Sequence, residues 1–316
     1  MDNPTDRSGP GRRQALRLLT SAAASPLLAD AAAISRPRRS SFDFSNPADN
    51  VRAFVKTRGD RSGRTVYTYT SGRVYAVRQG EVAVPFLGYD SGLVDRYEAV
   101  GDGSFRQWRR ELMHFTDLAT GELVREIRNP FTGKVDEPMH GLVGPLKFVL
   151  TARGVAYNTH DPAAASGPPF LLDWRRQGAD ITVQQETLRR YRNTQQPDRW
   201  PLASTGEFRT YCDFLTYRLP LAALEDPQQS GPPVNIFYSA QTDWQPWMFM
   251  GSRTPGHMLW HASGFKTLDR SQLPAGFVAI TARLHPGLLE DPFGYAESGF
   301  SYEEQLTARE RRRGPG

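Results

Sequence analysis

The chain has 316 residues and a formal net charge of +5; aromatic residues make up 11% of it, alongside 28 glycines and 24 prolines. This length supports a substantial hydrophobic core without metal or disulfide staples, and the single cysteine, Cys212, excludes an intrachain disulfide. The composition is typical of a β-rich protein and unfavourable for a helical bundle. Basic residues cluster at the two ends without a stacking motif, which argues against nucleic-acid binding.

Residues 1–33 have the pattern of an export signal. Arg12 and Arg13 resemble a twin-arginine motif and precede an apolar stretch over 18–28 and small residues suited to cleavage. The alternative is a disordered basic N-terminus. The apolar stretch is too short for a stable membrane span. We therefore expect a twin-arginine-type signal peptide, a linker over 34–41, the twin-arginine export machinery as a partner, and a periplasmic or secreted protein.

The rest of the chain predicts a single β-rich domain over residues 42–300, followed by a charged tail over 301–316. Asn46 and Pro47 predict the start of a short capped helix. Further on, 64–69 and 73–78 have the pattern of a hairpin. Strand patterns then follow one another with short turns and without helices long enough for parallel crossovers. The predicted fold class is therefore all-β: an antiparallel, barrel-like sheet with a few short peripheral helices.

Residues 108–140 predict a β-meander, because three strand-like runs are joined by two turn signals. Side chains alternate along a strand, so Glu111 and Met113 face one side of the first run while Arg110 and His114 face the other. Both faces mix charged and apolar side chains, which is unusual for a strand with one dry face. We therefore expect one of the two faces to line a polar cavity.

Later segments add further candidates. Residues 207–219 alternate as a strand that places Tyr211, Asp213 and Tyr217 on one face, and 243–250 concentrate large apolar side chains. Shortly after, His257 and His261 stand four residues apart. On a helix they would share a face suited to zinc, whereas on a strand they lie about 13 Å apart. Because the intervening residues are apolar, we favour core packing and predict no metal site.

Several of these motifs together resemble one family. They are Arg110-Glu111, Asp117, Thr120-Gly121-Glu122, Asn129-Pro130-Phe131-Thr132-Gly133, His140, Trp247-Met248-Phe249-Met250-Gly251, Gly256, His261, Gly264 and Lys266. The chain is similar in these positions to the domain of unknown function 1838 family, over most of its length from about Phe42 to Tyr295. The resemblance implies no particular activity, although many bacterial members are exported. After the histidine, where the family pattern continues Asn-Asp-Pro-Val, this chain has residues 143–146 as Val-Gly-Pro-Leu.

The missing signatures narrow the reaction class: the sequence contains no nucleophile elbow, dinucleotide fingerprint, phosphate loop or His-Glu-x-x-His motif. Glu111 is the best candidate for an acid or base, with His140 or His114 as its partner, because burial would raise the pKa of its carboxyl group. A cross-strand ion pair with Arg125 or Arg128 is the structural alternative. The remaining candidates are polar or large apolar side chains suited to a ligand pocket: Arg110, His114, Tyr217, Trp244, Trp247, Met250 and His261. For Trp244, Trp247 and Met250, packing in the core is the favoured alternative.

Three functional hypotheses follow, and none of them requires a cofactor. The leading one is an exported barrel that binds a lipophilic or aromatic small molecule, since barrels of eight or more strands can enclose a cavity. The second is a cofactor-independent isomerase, cyclase or lyase that uses Glu111 and His140. The third is an envelope interaction protein whose interior is filled and holds no ligand.

Overall fold

A computed structural model describes residues 41–296 and 301–313. The strands are β1 Val66–Arg78, β2 Val84–Ala99, β3 Phe105–Thr116, β4 Ile127–Arg128, β5 Val135–Asp136, β6 Gly141–Thr151, β7 Gly154–Tyr157, β8 Asp173–Gln177, β9 Asp180–Arg192, β10 Phe208–Pro220, β11 Val234–Thr242 and β12 Gly256–Thr267. The α-helices are α1 Pro47–Arg58, α2 Leu221–Glu225, α3 Ala275–Leu284 and α4 Tyr302–Arg313, and single 3₁₀ turns cover Pro162–Ala164, Pro246–Met248 and Arg270–Gln272.

Ten of the strands form one antiparallel sheet in the order β7-β6-β3-β2-β1-β12-β11-β10-β9-β8. The sheet curls into a half-barrel, and in the described part of the chain β7 and β8 are its edges. The first and last long strands, β1 and β12, pair at its centre. The predicted fold class, an antiparallel barrel-like sheet with a few short helices, is confirmed.

The predicted hairpin over 64–78 is wrong, because β1 is one continuous strand that passes straight through Ser71 and Gly72. Gly72 is needed for close approach to β12: a Cβ there would lie 2.0 Å from the carbonyl oxygen of His261. Gly264 on β12 is equally tight, since its Cβ would meet the carbonyl oxygen of Tyr69 at 1.8 Å. These two glycines therefore allow the central strands to press together rather than to turn.

The predicted meander is only partly right. Its first run is β3, but β3 lies between β2 and β6 in the sheet and does not pair along its length with the second run. The second run contributes only a single bridge to Thr116 and the short strand β4, which pairs with β5 in a separate two-stranded ribbon. Charged and turn residues dominate this stretch, so it has too little apolar surface for a full strand.

The core lies on both faces of the sheet. One cluster on the concave face packs Trp244, Trp247 and Trp260 together with Leu306 of α4. A second concave cluster contains residues of α1 with Tyr217 of β10 and neighbouring strands. On the convex face, α3 and the segment after it cover β2 and β3. Helices thus close the two ends of the concave face and leave space between them.

α1 begins where the sequence predicts, with the Asn46 side chain accepting a hydrogen bond from the Ala48 amide at 2.9 Å. At the other end of the chain, the region predicted as a charged tail contains α4. Its buried Leu306 anchors this helix, and its Arg309 and Arg313 side chains bind Glu137 and Asp136.

The predicted signal peptide, residues 1–33, and the linker as far as residue 40 lie outside the described residues. Within the described ranges, none of the helices combines the length and the apolar character needed to cross a bilayer.

Candidate functional site

The concave face of the sheet encloses a cavity of about 270 Å³, which we call the concave cavity. It lies between the two concave clusters, since its wall includes Trp260 of the first and Tyr217 of the second. Strands from both halves of the sheet and the last residue of α1 supply the wall. Its charged and aromatic side chains are Arg58, Tyr89, Arg109, Glu111, Tyr211, Asp213, Tyr217, Tyr238 and Trp260.

Tyrosines and a carboxylate form the polar centre of the wall. The Tyr211 hydroxyl donates to Asp213 Oδ2 at 2.8 Å, while Asp213 Oδ1 is buried without a partner in the described residues. Burial and the Asp213 carboxylate hold the pKa of Tyr211 well above its ordinary value. Burial also raises the pKa of Tyr89 to about 12. The hydroxyl groups are therefore neutral hydrogen-bond donors at physiological pH.

A buried ion pair stiffens the opposite side of the wall. Arg109 Nε and one terminal nitrogen contact the two oxygens of Asp95 at 2.9 and 3.2 Å, and Gln107 donates to the same carboxylate at 2.6 Å. Burial alone would lower the pKa of Arg109, but the Asp95 charge raises it above its ordinary value. Arg109 thus remains a fixed cation beneath the cavity.

Glu111, the predicted acid or base, lines the concave cavity. Its side chain is 38% exposed, and its ion-pair partner is Arg109 at 3.8 Å on the same strand, not the predicted Arg125 or Arg128. Residues i and i+2 share a strand face, so this pairing follows directly from the alternation. Glu111 is therefore a solvent-accessible carboxylate beside an arginine, and a ligand in the cavity can contact it.

His140, the predicted partner of Glu111, does not line the cavity. Its Nδ1 accepts the Phe115 amide at 3.1 Å and its Nε2 lies 3.1 Å from the Val124 carbonyl oxygen, to which it donates. Burial lowers the pKa of His140 to about 4. The neutral ring thus joins the end of β3 to the loop that follows it, and the structure does not bring it together with Glu111.

Arg110 and His114 face the convex side of β3, away from the cavity. Arg110 Nε donates to the Pro292 carbonyl at 2.9 Å, and His114 Nε2 lies 2.9 Å from the Thr281 hydroxyl of α3. Burial lowers the pKa of His114 to about 3. Both side chains fix the convex covering layer in place.

The other predicted ligand-binding residues separate into two groups. Tyr217 lines the cavity, whereas Trp244, Trp247 and Met250 are buried in the adjoining cluster. His261 is exposed on β12 beside Ser239, and an extended strand separates it from His257. In the described residues no three potential metal-binding side chains of His, Cys, Asp or Glu come together.

Sequence reasoning missed Arg58, Tyr89, Tyr238 and Trp260 as members of the site. The sequence does indicate the β10 part of the cavity wall, because the alternation of β10 places Tyr211, Asp213 and Tyr217 on one face, and that face is the concave one. What selects the cavity is the curl of the sheet, which brings β3 and β10 together across the concave side.

The motif residues that suggested a family mostly have structural roles. The buried Asn129 side chain accepts the amides of Phe131 and Thr132 and donates to Asp136 and the Met248 carbonyl. It thereby joins the Asn-Pro-x-Thr-Gly turn to the Trp-Met-x-Met-Gly segment. The buried Lys266 Nζ donates at 2.9 Å each to the carbonyl oxygens of Lys56, in the last turn of α1, and of Gly59, the residue that follows the helix. These motifs hold the scaffold around the cavity, while other residues form its wall.

Comparison with known proteins identifies the family of this chain. No curated protein matches the sequence. A family model described as protein of unknown function (DUF1838) matches residues 63–299, which include every strand of the sheet. The chain therefore belongs to the DUF1838 family.

Proposed function

We propose that this protein binds a small aromatic molecule with polar substituents in the concave cavity. One observation carries the proposal: a cavity of about 270 Å³ whose wall combines aromatic rings with polar atoms that have no partner among the described residues. That volume equals the share of about nine water molecules at ~30 Å³ each, which corresponds to a ligand of one ring with substituents. Pockets that combine apolar walls with a few placed polar groups are typical ligand sites.

The alternative of an envelope interaction protein requires a filled interior. The concave cavity departs from that requirement, because two core clusters leave space between them instead of meeting. A purely structural protein would also gain nothing from the unpartnered Asp213 Oδ1 in the wall, since an unsatisfied buried acceptor destabilises the folded state. A ligand that donates a hydrogen bond would remove that cost.

A matched pair of variants tests the proposal. Leu215 and Phe214 are neighbours on β10, but Leu215 faces the cavity whereas Phe214 is 43% exposed on the other face. We expect native mass spectrometry of the wild-type protein and of Phe214→Trp to show a bound mass that denaturation releases. Leu215→Trp should lose it, because the indole occupies the cavity. A bound mass that persists in Leu215→Trp, or no bound mass in repeated preparations of the wild type, would overturn the proposal.

A cofactor-independent isomerase, cyclase or lyase remains a second candidate, favoured by two carboxylates in the cavity wall, Glu111 and Asp213, the second of which accepts the Tyr211 hydroxyl at 2.8 Å. Here Asp213 and Glu111 would exchange protons with the ligand, since His140 is engaged with the backbone outside the cavity. Incubation of the released ligand with fresh protein separates the two. A binder returns the ligand unchanged, whereas an enzyme converts it at a rate that Glu111→Gln or Asp213→Asn reduces by about 10² or more.

We further propose that the protein acts outside the cytoplasm, on the basis of the twin-arginine pattern at Arg12 and Arg13. Replacement of both by lysine should retain the protein in the cytoplasm of a bacterial host, as measured by cell fractionation. Equal amounts outside the cytoplasm with and without the substitution would contradict this proposal.

A further inference from the structure

The cavity wall contains a buried arginine that forms no ion pair with the described residues. Arg58 is the last residue of α1, is 5% exposed and lines the concave cavity. In the described part of the chain, its one hydrogen-bond acceptor is the neutral Gln185 side chain, and no carboxylate lies within 4.0 Å. Its Nε is buried without a partner. A buried cation in this state is costly unless something else supplies an anion.

The nearby carboxylates are already engaged by other groups. Asp95 binds Arg109 in two hydrogen bonds, and Glu111 pairs with Arg109 at 3.8 Å. Asp213 accepts the Tyr211 hydroxyl. Arg58 instead lies near aromatic rings, with its guanidinium carbon 6.0 Å from the centre of the Tyr217 ring. The guanidinium is therefore held by packing, with donor capacity left for a ligand.

We infer that the ligand of the concave cavity is an aromatic carboxylic acid, whose carboxylate binds the Arg58 guanidinium and whose far end donates a hydrogen bond from a hydroxyl or amino group to Asp213. This inference rests on the proposed function and specifies its ligand class. Among the described residues, Arg58 Nε is a donor without an acceptor and Asp213 Oδ1 is an acceptor without a donor, and both side chains lie in the wall of the same cavity. A ligand with the complementary groups at its two ends satisfies both.

The sheet register places the two groups at neighbouring levels of the cavity wall. Gln185, which binds Arg58, pairs directly with Leu215 of β10. Leu215 and Asp213 face the cavity two residues apart, which corresponds to about 7 Å along a strand. Tyrosine and tryptophan side chains of the same wall supply flat contact surfaces for the ring.

Calorimetric titration of the full chain with three related probes tests the inference. The probes are 4-hydroxycinnamate, its neutral amide and unsubstituted cinnamate. We expect the wild type to bind 4-hydroxycinnamate about tenfold or more tighter than the amide, which is the usual effect of a charge-assisted hydrogen bond. Arg58→Gln should abolish that preference and leave the affinity for the amide nearly unchanged. Asp213→Asn should abolish the preference for 4-hydroxycinnamate over cinnamate.

The outcomes separate this inference from the proposed function. Equal binding of acid and amide by the wild type would overturn the carboxylate inference while leaving aromatic binding in place. Binding of none of the probes would overturn the inference, while the mass released from the native protein remains the independent test of the function.

A measurement without any ligand provides a second test. Because Arg58 is a buried cation without an anionic partner, Arg58→Met should raise the urea midpoint of the empty protein while abolishing the preference for the acid. A purely structural arginine predicts the reverse, a lower midpoint with the ligand preference intact, and that result would overturn the inference.

Discussion

Acid should destabilise this protein well above the pH range in which carboxylates titrate, because folding keeps two histidines neutral. Burial lowers the pKa of His114 to about 3 and that of His140 to about 4, from an ordinary value of 6.5. The unfolded chain therefore binds protons near pH 6.5 that the folded protein does not bind. The free energy of unfolding must therefore fall as the pH drops below about 6.5 towards the folded pKa values. The stabilisation that the two neutral rings provide is complete only above about pH 6.5.

The size of the effect follows from the two histidines. At pH 5 both rings are neutral in the folded protein, while in the unfolded chain they are protonated. Each pH unit below 6.5 costs about 1.4 kcal/mol per ring, so the step from pH 7 to pH 5 costs ~2 kcal/mol for each and ~4 kcal/mol in total. That loss is a large fraction of the free energy of unfolding of a typical folded domain, about 5–15 kcal/mol, so denaturant unfolding can measure it readily.

Urea unfolding followed by tryptophan fluorescence at pH 7, 6 and 5 measures this loss. His114→Leu combined with Thr281→Val removes one ring together with its hydrogen-bond partner, so no new unpaired group is left. We expect the double variant to lose only ~2 kcal/mol over the same pH interval. An unchanged free energy of unfolding between pH 7 and pH 5 in the wild type would contradict the neutral state of the two buried rings. A loss in the double variant as large as that of the wild type would contradict the contribution of His114.

Three further predictions concern the scaffold. Gly264→Ala should lower the free energy of unfolding by about 3 kcal/mol or more, because its Cβ would lie 1.8 Å from a backbone oxygen. The same change at Gly276 of α3, where a Cβ meets nothing within 4 Å, should be neutral or stabilising by up to about 1 kcal/mol in the same urea assay. Asn129→Ala should cost about 3 kcal/mol, since it removes the hydrogen-bond partner of Asp136 Oδ2 and of two turn amides, and retention of full stability would contradict the structural role of the motif. Burial lowers the pKa of Lys266 to about 7, so above pH 7 the Lys266 side chain is protonated in the unfolded chain but neutral in the folded protein. The free energy of unfolding should therefore rise by ~2 kcal/mol from pH 7.5 to 9. This rise should be absent in Lys266→Met.

Alternation in the sequence predicts the fold class and the facing of side chains. On β3 it places Arg109, Glu111 and Met113 together, and in the structure all three line the cavity. This works because period-two patterns depend only on strand geometry. The ends of strands are less readable: Ser71-Gly72 has the composition of a turn, yet Gly72 is required by the close passage of β12, a contact between segments nearly two hundred residues apart.

The membership of the site depends on contacts that sequence proximity does not reveal. From the sequence, His140 and Glu111 are both suited to acid–base chemistry, which is why we predict them as partners. In the structure, backbone partners on either side of the His140 ring hold it outside the cavity. Arg58 looks like the ordinary basic end of a helix, and only the docking of α1 against the concave face buries it beside Tyr217. Tertiary burial, rather than residue type, thus decides which groups meet a ligand.

The proposed occupant of the concave cavity is an aromatic carboxylic acid, and a crystal structure of the protein soaked with 4-hydroxycinnamate tests this assignment most directly. We expect electron density for one ring between Arg58 and Asp213, with the carboxylate against the guanidinium and the ring against the tyrosines of the wall. A cavity that contains only ordered water at saturating probe, or that side chains fill, would contradict it.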